Sequence, residues 1–198
     1  DAALLNKDIG VLVLRQKIMI NGVQYDNLFD TLEDIQKNKA MMDDLSSYYS
    51  VPIHGDLTID NILVNRDKQF ILLDPNNENY ISDPLVDLAK LYQSLHSGYE
   101  FINNLETVYT YDAEVVFDER RSLKYQEIFD ILVKELEHRY AGSMRVILFH
   151  EAVHYCRMLT YRCRINPSTA PAFYAIAVRL FNQFRSQYIA PMSPHVVD

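Results

Sequence analysis

Segment 51–75 constrains the fold of this chain more than any other part of the sequence. It opens as a polar loop (residues 51–61), enters the apolar run Ile62 to Val64, turns through 65–68 and ends at Asp74. Two short apolar runs on either side of a polar turn predict a β-hairpin, with loop side chains at the mouth of a buried strand. The polar loop carries four residues typical of functional sites: His54, Gly55, Asp56 and Asn61.

The hairpin is expected to bring Asn61 and Asp74 to one point, because they stand at adjoining ends of its two strands. Two oxygen ligands that face one point suit a hard cation, and Mg²⁺ is usually held by a few protein oxygens together with substrate phosphates. Asp56 stands apart from this pair and remains able to accept a proton. The alternative is a hairpin whose Asp, Asn and Gly residues only form turns, as these residue types commonly do.

The order and spacing of these residues resemble the catalytic half of the aminoglycoside phosphotransferase and choline kinase family. Three segments carry the resemblance: 54–63, the apolar strand that ends at Asp74, and 83–89 with its Asp-Pro-x-x-Asp-Leu-Ala pattern. Members of this family are small-molecule kinases with a protein-kinase-like fold. The resemblance implies an α+β fold that is mostly helical, in which this chain forms the C-terminal lobe around a short catalytic β-hairpin.

The resemblance also implies a role for each polar residue of the segment. Asp56 would take the proton of the acceptor hydroxyl, while Asn61 and Asp74 would hold the Mg²⁺ ions that bridge the phosphates of the co-substrate ATP. His54 would brace the loop, and Asp87 would anchor the loop backbone from below. These few residues are sufficient for catalysis because phosphoryl transfer depends mainly on positioning of the reactants and neutralisation of charge.

The acceptor pocket is expected on the helices that follow Asp87, as in the family that the chain resembles. The run 87–99 is similar to bacterial members associated with surface-glycan assembly. Aromatic and acidic side chains suit a polyhydroxyl sugar or an amine, so the predicted partner is a small molecule with a hydroxyl group, sugar-like or an amino-alcohol. The pocket is expected to draw on five residues: Tyr92, His96, Tyr99, Glu100 and His154.

Kinases of this fold also need an N-terminal lobe, with a Lys on a strand and a loop over the ATP phosphates. The glycines of this chain are too scattered for a phosphate-binding loop, and only Lys7 and Lys17 lie upstream of the predicted helices. We therefore interpret residues 1–198 as a single domain that lacks the N-terminal lobe of a longer protein. By itself the chain is expected to bind ATP weakly and to turn over little or nothing.

Residues 150–154 read His-Glu-Ala-Val-His and offer a competing interpretation as a zinc-dependent hydrolase. This H-E-x-x-H pattern binds zinc on a helix in many metallopeptidases. No glutamate follows it in the chain to act as third ligand, and only His195 and Asp198 remain as later candidates. The segment is apolar on most sides, so we expect His150 and His154 to lie in or beside the core. A non-catalytic binding or scaffold module is the third hypothesis.

The formal net charge of −8 argues against a nucleic-acid partner, because such binding depends on clustered Lys and Arg. The run Arg157, Arg162 and Arg164 is an exception that we interpret as the solvated edge of a helix. No stretch reaches the roughly 18 apolar residues of a membrane span. Cys156 and Cys163 lie about two turns apart on one predicted helix, too far for a disulfide, so we expect reduced thiols in a cytoplasmic protein.

The rest of the sequence predicts a helix-rich chain. Asn21-Gly22 between apolar residues predicts a β-hairpin, Val11 to Leu14 is β-rich, and further strands are expected near Val108 and Val115. Apolar periodicity predicts helices over 27–49, 84–95, 121–139, 144–164 and 172–188. The inward face of the helix 121–139 is predicted to comprise Leu123, Ile128, Ile131, Leu132 and Leu136.

Overall fold

The structure, a computed structural model, describes residues 6–46, 49–79 and 81–189. Its α-helices within these residues are α1 Lys7–Val13, α2 Leu28–Lys37, α3 Lys39–Ser46, α4 Pro84–Leu95, α5 Tyr99–Asn103, α6 Leu123–Arg139, α7 Met144–Ile165 and α8 Ala170–Tyr188. Its strands are β1 Lys17–Ile20, β2 Val23–Asp26, β3 Ile62–Val64, β4 Phe70–Leu72, β5 Val108–Tyr111 and β6 Glu114–Phe117, and a 3₁₀ turn spans Ile59–Asn61. The predicted α+β, mostly helical class is confirmed.

Four strands form a mixed sheet in the order β2-β1-β6-β5. Strand β1 runs antiparallel to β2 and parallel to β6, and β5 pairs antiparallel with β6. Asn21 and Gly22 join β1 to β2 with φ angles of 49° and 79°, the left-handed values that a tight two-residue hairpin turn requires. The predicted hairpin is therefore confirmed, as are the strands near Val108 and Val115. The hairpin β3–β4 stands apart from this sheet.

Helix α8 is the centre of the hydrophobic core. Every residue from Ala170 to Val178 is buried, which is the pattern of a helix enclosed on all sides rather than of an amphipathic surface helix. Helix α7 packs along α8, and strands β1 and β6 contribute the buried side chains Ile18, Ile20 and Val115 to the same core. None of the helices in the described parts of the chain combines the length and apolar character needed to cross a membrane.

Asn27 joins three helices and explains why the chain turns where it does. Its side-chain oxygen caps α2 by accepting from the amide of Leu28 at 2.7 Å, and it also accepts from the Tyr174 hydroxyl of α8 at 2.5 Å. Its Nδ2 donates to the carbonyl of Leu12 in α1 at 2.9 Å. Because Asn27 is almost completely buried, these bonds satisfy groups that would otherwise be costly to bury.

The prediction of a β-strand at Val11 to Leu14 is wrong, because this stretch belongs to α1 and its end. Asn6 caps the helix by accepting from the backbone amides of Asp8 and Ile9. Ile9 and Leu12 are buried three residues apart, on the helical period, whereas Leu14 is exposed. An N-cap and a buried face decide the conformation here against a weak local preference of valine for strands.

The predicted inward face of α6 is correct only in part. Leu136 is buried and Leu132 packs against a second, smaller core cluster, but Leu123, Ile128 and Ile131 are exposed. Phe129 and Val133 are the other residues of α6 that pack against this second cluster. Two apolar stripes run along this helix, and contact with α4 selects one of them.

The other helix predictions are largely confirmed. Asp83 caps α4, which begins at Pro84, and α7 and α8 follow the predicted bounds within a few residues. The predicted helix 27–49 is instead two helices, α2 and α3, because the chain leaves the helical conformation at Asn38. The C-terminal residues His195 and Asp198 lie outside the described residues.

Candidate functional site

The polar loop is tied to the start of α4 by two carboxylates. Asp87, in the first turn of α4, accepts hydrogen bonds from the backbone amides of His54 and Gly55, each at 2.7 Å. Asp83, the N-cap of the same helix, accepts from the backbone amide of Tyr49 at 2.6 Å. Carboxylates are favoured at this end of a helix by its dipole, so the helix both places the anchors and stabilises their charge.

Gly55 is required where the polar loop meets the chain that follows Asp74. Its φ of 81° lies in the left-handed region, which glycine adopts without steric cost. A Cβ at this position would overlap the carbonyl oxygen of Asn76 and the side-chain amide of Asn79. The amide of Asn76 in turn donates to the carbonyl of His54 at 2.8 Å. The loop that carries Asp56 and the segment after Asp74 therefore run side by side.

Asp56 lies half-buried between Asn61 and Lys90. The Nδ2 of Asn61 donates to the backbone carbonyl of Asp56 at 2.8 Å and lies 3.4 Å from its Oδ2. The Nζ of Lys90, a buried residue of α4, lies 3.1 Å from the other oxygen, Oδ1. His54 accepts a long bond from the amide of Asp56 through Nδ1 at 3.4 Å. The two oxygens of the Asp56 carboxylate thus face different surroundings, one the hairpin and the other α4.

Asp74 follows immediately after the end of the hairpin. The amide of Leu73 donates to the carbonyl of Asn61 at 2.9 Å, which places Asp74 one residue beyond a direct pairing with Asn61. Its φ of 52° is left-handed, which is rare for a residue with a side chain and is found preferentially at functional sites. Asp74 is exposed, and within the described residues no hydrogen bond or ion pair engages its carboxylate.

A cleft with a volume of about 410 Å³ opens beside Asp56, between the polar loop and helices α4, α5 and α7. Tyr99 and His154, two of the residues predicted for the acceptor pocket, line this cleft. The described residues that line it are Gly55, Asp56, Asn76, Asn79, Lys90, Tyr99, His154, Arg157, Met158, Tyr161 and Arg162.

The other three residues predicted for the acceptor pocket lie elsewhere. Tyr92 and His96 line a separate cavity of about 150 Å³ next to α8. Glu100 is buried, and burial raises the pKa of its carboxyl group. It contributes to a groove of about 520 Å³ beside β5 and β6 instead. Tyr99 and Glu100 are neighbours on α5, yet they line different cavities because their side chains point to different sides of the helix.

The H-E-x-x-H residues make structural contacts on α7. Both oxygens of Glu151, which is fully buried, lie within hydrogen-bonding distance of His96 Nδ1, at 2.9 and 3.0 Å. His154 donates through Nε2 to the carbonyl of Val86 at 3.2 Å. His150 and His154 are both buried, which confirms the prediction that they lie in or beside the core. Among the residues that the structure describes, no group of three His, Cys, Asp or Glu side chains is arranged to hold a metal.

We expect the free energy of unfolding to fall as the pH drops below about 6.5, because His154 accepts a proton in the unfolded chain but not in the folded protein. Burial, reinforced by the nearby Lys90, holds the pKa of His154 well below its ordinary value. The contribution of neutral His154 to the free energy of unfolding is therefore fully present at pH values above the pKa of this residue in the unfolded chain. It is lost at about 1.4 kcal/mol per pH unit below that value, until the folded pKa is reached. Burial also lowers the pKa of His150, which therefore contributes to the same loss of stability at low pH.

Urea denaturation at a series of pH values between 7 and 5 measures this slope. His154→Gln keeps an N–H donor for the carbonyl of Val86 but removes the titration, so its slope should be shallower than that of the unmodified chain. His138→Gln is the matched control, since His138 is exposed. Equal slopes in all three proteins would contradict the prediction.

Lys90 and Arg162 are two charged cleft residues that sequence reasoning missed. Lys90 stands three residues after Asp87 on a predicted helix, so helical spacing alone places both side chains on the face towards the polar loop. Arg162 was interpreted as part of a solvated helix edge. It is instead partly buried, with its guanidinium carbon 4.7 Å from the centre of the Phe173 ring, and only Arg157 and Arg164 are exposed.

Cys156 and Cys163 are both free thiols, as the sequence predicted. No protein-family model, curated protein or solved structure matches this chain significantly. The function is therefore argued from the geometry of the polar loop, the hairpin and the cleft.

Proposed function

We propose that this chain is the catalytic lobe of an ATP- and Mg²⁺-dependent phosphotransferase that acts on a hydroxyl group of a small molecule. The observation that carries the proposal is the placement of the Asp56 carboxylate. It lies at the mouth of a cleft, on a loop whose backbone is bound by Asp87, with Asn61 against one oxygen and Lys90 against the other. A carboxylate held on both sides, with open space before it, is positioned to accept a proton from a bound alcohol.

The residues at the end of the hairpin fit a magnesium ion. The Nδ2 of Asn61 is already engaged with the carbonyl of Asp56, which leaves the amide oxygen as the group able to bind a ligand. The exposed carboxylate of Asp74 adds one or two further oxygens next to it. An all-oxygen donor set with few protein ligands is the type that Mg²⁺ uses when phosphates complete its coordination. When bound, the ion would neutralise phosphate charge as the γ-phosphoryl group is transferred.

Asp56 would act as the general base in this reaction. Its carboxylate would accept the proton of the acceptor hydroxyl, whose oxygen forms a bond to the γ-phosphorus of ATP. The bond from that phosphorus to the β–γ bridging oxygen breaks, so the products are a phosphate monoester and ADP, and the proton passes from Asp56 to solvent. Asp87 would contribute by holding the loop at a fixed distance from the cleft.

Exposed apolar side chains on both faces of the hairpin support a further part of the proposal, a nucleotide-binding N-terminal lobe. Val64, Phe70 and Ile71 are 67%, 68% and 60% exposed, which is unusual for three neighbouring large apolar side chains. This exposure also corrects the prediction of a buried strand at Ile62 to Val64, because no element in the described residues covers it. We expect residues 1–198 by themselves, without such a lobe, to bind nucleotide weakly and to show little or no turnover.

Substituting Asp74 tests the proposal without requiring turnover. Mn²⁺ replaces Mg²⁺ at oxygen sites and broadens nearby NMR signals, so Mn²⁺ with a non-hydrolysable ATP analogue should broaden the amide signals of Asn61 and Asp74. Excess Mg²⁺ should reverse the broadening. We expect Asp74→Ala to weaken this Mn²⁺ binding by at least about tenfold, since even outer-shell changes cost that much at metal sites.

Asp67→Ala is the matched control, because Asp67 is an exposed aspartate in the turn of the same hairpin. It should leave the broadening unchanged. Broadening that persists in Asp74→Ala, or that centres on residues 150–154 instead, would refute the proposed site. A chain that stays folded and shows no nucleotide or Mn²⁺ effect would indicate a non-catalytic binding module.

A further inference from the structure

Positive charge is concentrated in the cleft beside Asp56, although the chain as a whole carries a formal net charge of −8. Lys90, Arg157 and Arg162 line the cleft, and among the described residues that line it Asp56 alone is acidic. The remaining titratable base, His154, adds no negative charge, and its depressed pKa is in part an effect of Lys90 and Arg157. A bound molecule would therefore meet more positive than negative side chains in the cleft beside the proposed base.

Arg162 is positioned like an anion-binding residue, because within the described residues part of its guanidinium has no acceptor. Its guanidinium stacks over the ring of Phe173, and its Nη2 donates to the Tyr99 hydroxyl at 2.9 Å. Its Nε is buried and has no hydrogen-bond acceptor within the described residues. Guanidinium carries five N–H donors, so most of its donors remain for a ligand.

Tyr99 extends this surface towards Lys90. Since the Tyr99 oxygen accepts from Arg162, its own O–H remains able to donate to a ligand, and burial raises the pKa of Tyr99 so that the hydroxyl keeps its proton. The Nζ of Lys90 lies 5.8 Å from the centre of the Tyr99 ring and has three donors, of which Asp56 uses one. Arg162, Tyr99 and Lys90 thus form a continuous row of donors.

This row of donors is separate from Asn61 and Asp74, the proposed magnesium ligands. Lys90 faces Oδ1 of Asp56, whereas Asn61 lies nearest to Oδ2. The lining of the cleft includes neither Asn61 nor Asp74. Donors on the side of the base away from the metal ligands are placed to bind the acceptor rather than the triphosphate.

We propose that the acceptor is an alcohol that carries an anionic group, a phosphate or a carboxylate, bound by Arg162, Tyr99 and Lys90 with its hydroxyl towards Asp56. This inference rests on the proposed function and narrows its substrate class. It excludes the amino-alcohols predicted from the sequence, because an ammonium group would lie against like charges. A guanidinium fork with a neighbouring hydroxyl and ammonium matches the several acceptor oxygens of phosphate or carboxylate.

Titration of the complete chain with small alcohols of different charge, followed by NMR, tests the proposal in the absence of nucleotide. The probes are glycerol, glycerol 3-phosphate, glycerate and ethanolamine, which differ mainly in charge. At least one anionic probe should bind about tenfold or more tightly than glycerol, the gain typical of a hydrogen bond to a charged group. Its shifts should centre on Tyr99 and Arg162, and comparison of the two anions distinguishes phosphate from carboxylate.

Arg162→Gln should weaken binding of the preferred anionic probe by about tenfold or more, since the substitution removes the charge and most of the donors. Arg164→Gln is the matched control on the same helix, because Arg164 is exposed and does not line the cleft. Tyr99→Phe provides a second variant that keeps the packing of the ring and removes only the hydroxyl. Tyr99→Phe should weaken binding of the same probe several-fold. This variant therefore tests the proposal even if Arg162→Gln does not fold.

Glycerol or ethanolamine binding as tightly as both anionic probes would overturn the inference, and so would equal losses in Arg162→Gln and Arg164→Gln. Failure here is distinguishable from failure of the proposed function. Arg162→Gln should leave the Mn²⁺ broadening at Asn61 and Asp74 intact, whereas Asp74→Ala should leave the anion preference intact.

Discussion

Replacing Asp87 by alanine is expected to lower the free energy of unfolding by about 3 kcal/mol, because two hydrogen bonds to a charged acceptor are lost together. The amides of His54 and Gly55 both donate to this carboxylate at 2.7 Å, and nothing else in the described chain is placed to accept from them. Loss of a negative charge in the first turn of α4 adds a smaller helix-dipole effect in the same direction. Urea denaturation followed by circular dichroism measures the change.

Two further variants separate the hydrogen bonds from the loss of charge. Asp87→Asn keeps one acceptor oxygen and should lose about half as much stability, because its amide nitrogen cannot accept the second bond. Asp60→Ala removes an exposed aspartate of the polar loop and should change stability by no more than about 0.5 kcal/mol. Hydrogen exchange should accelerate at the amides of both His54 and Gly55 in Asp87→Ala, at only one of them in Asp87→Asn, and at neither in Asp60→Ala. Equal destabilisation by Asp87→Ala and Asp60→Ala would show that Asp87 does not anchor the loop.

Phe173→Ala should lower the free energy of unfolding by about 3 to 5 kcal/mol, the cost of an unfilled cavity in a tightly packed core. Phe173 is fully buried on α8, with the rings of Tyr155 and Tyr99 at centroid distances of 5.9 and 6.5 Å. The same ring supports the guanidinium of Arg162, so the variant should also weaken any anionic ligand of the cleft. Thermal and urea denaturation measure the first effect, and the NMR titration measures the second.

Phe70→Ala is the matched control for Phe173→Ala. Phe70 is 68% exposed on β4, so removing its ring should change the stability of this chain by no more than about 0.5 kcal/mol. Phe173→Leu should fall between the two, since it retains much of the buried volume. A destabilisation by Phe70→Ala close to that of Phe173→Ala would mean that the hairpin face is covered in solution.

The candidate site was predictable from the sequence where its geometry is local. Asn61 and Asp74 stand at adjoining ends of one hairpin, and turn chemistry with a period of two is enough to place them together. Asp87 stands at the start of a helix whose cap and first proline are visible in the sequence. Lys90 follows from the same helix by spacing, although it was not recognised.

The composition of the cleft was not predictable in the same way. Tyr99, His154 and Arg162 come from α5 and α7, and only packing brings these helices to the polar loop. The family resemblance assigned Tyr92, His96 and Glu100 to the same pocket as Tyr99, but residues at neighbouring positions on α4 and α5 face different cavities. Sequence spacing gives the direction of a side chain around its own helix, not which neighbour it meets.

The exposed hairpin and the buried face of α6 also show the difference between what a local sequence pattern predicts and what tertiary packing decides. An apolar run predicts that some surface will cover it, and a helical period predicts which side chains share a face. Neither pattern contains the identity of the covering surface. Strand β3 is exposed because the described chain offers nothing to cover it, and α6 buries one of its two apolar stripes because α4 lies on that side.

The sequence by itself therefore determined the helices, the hairpins and the polar residues at their ends, because capping, turn formation and apolar periodicity act over a few residues. Tertiary structure alone decided which charges surround Asp56. Burial and charge–charge contacts depend on distances between residues far apart in the chain, and these distances exist only once α4, α5 and α7 have packed around α8.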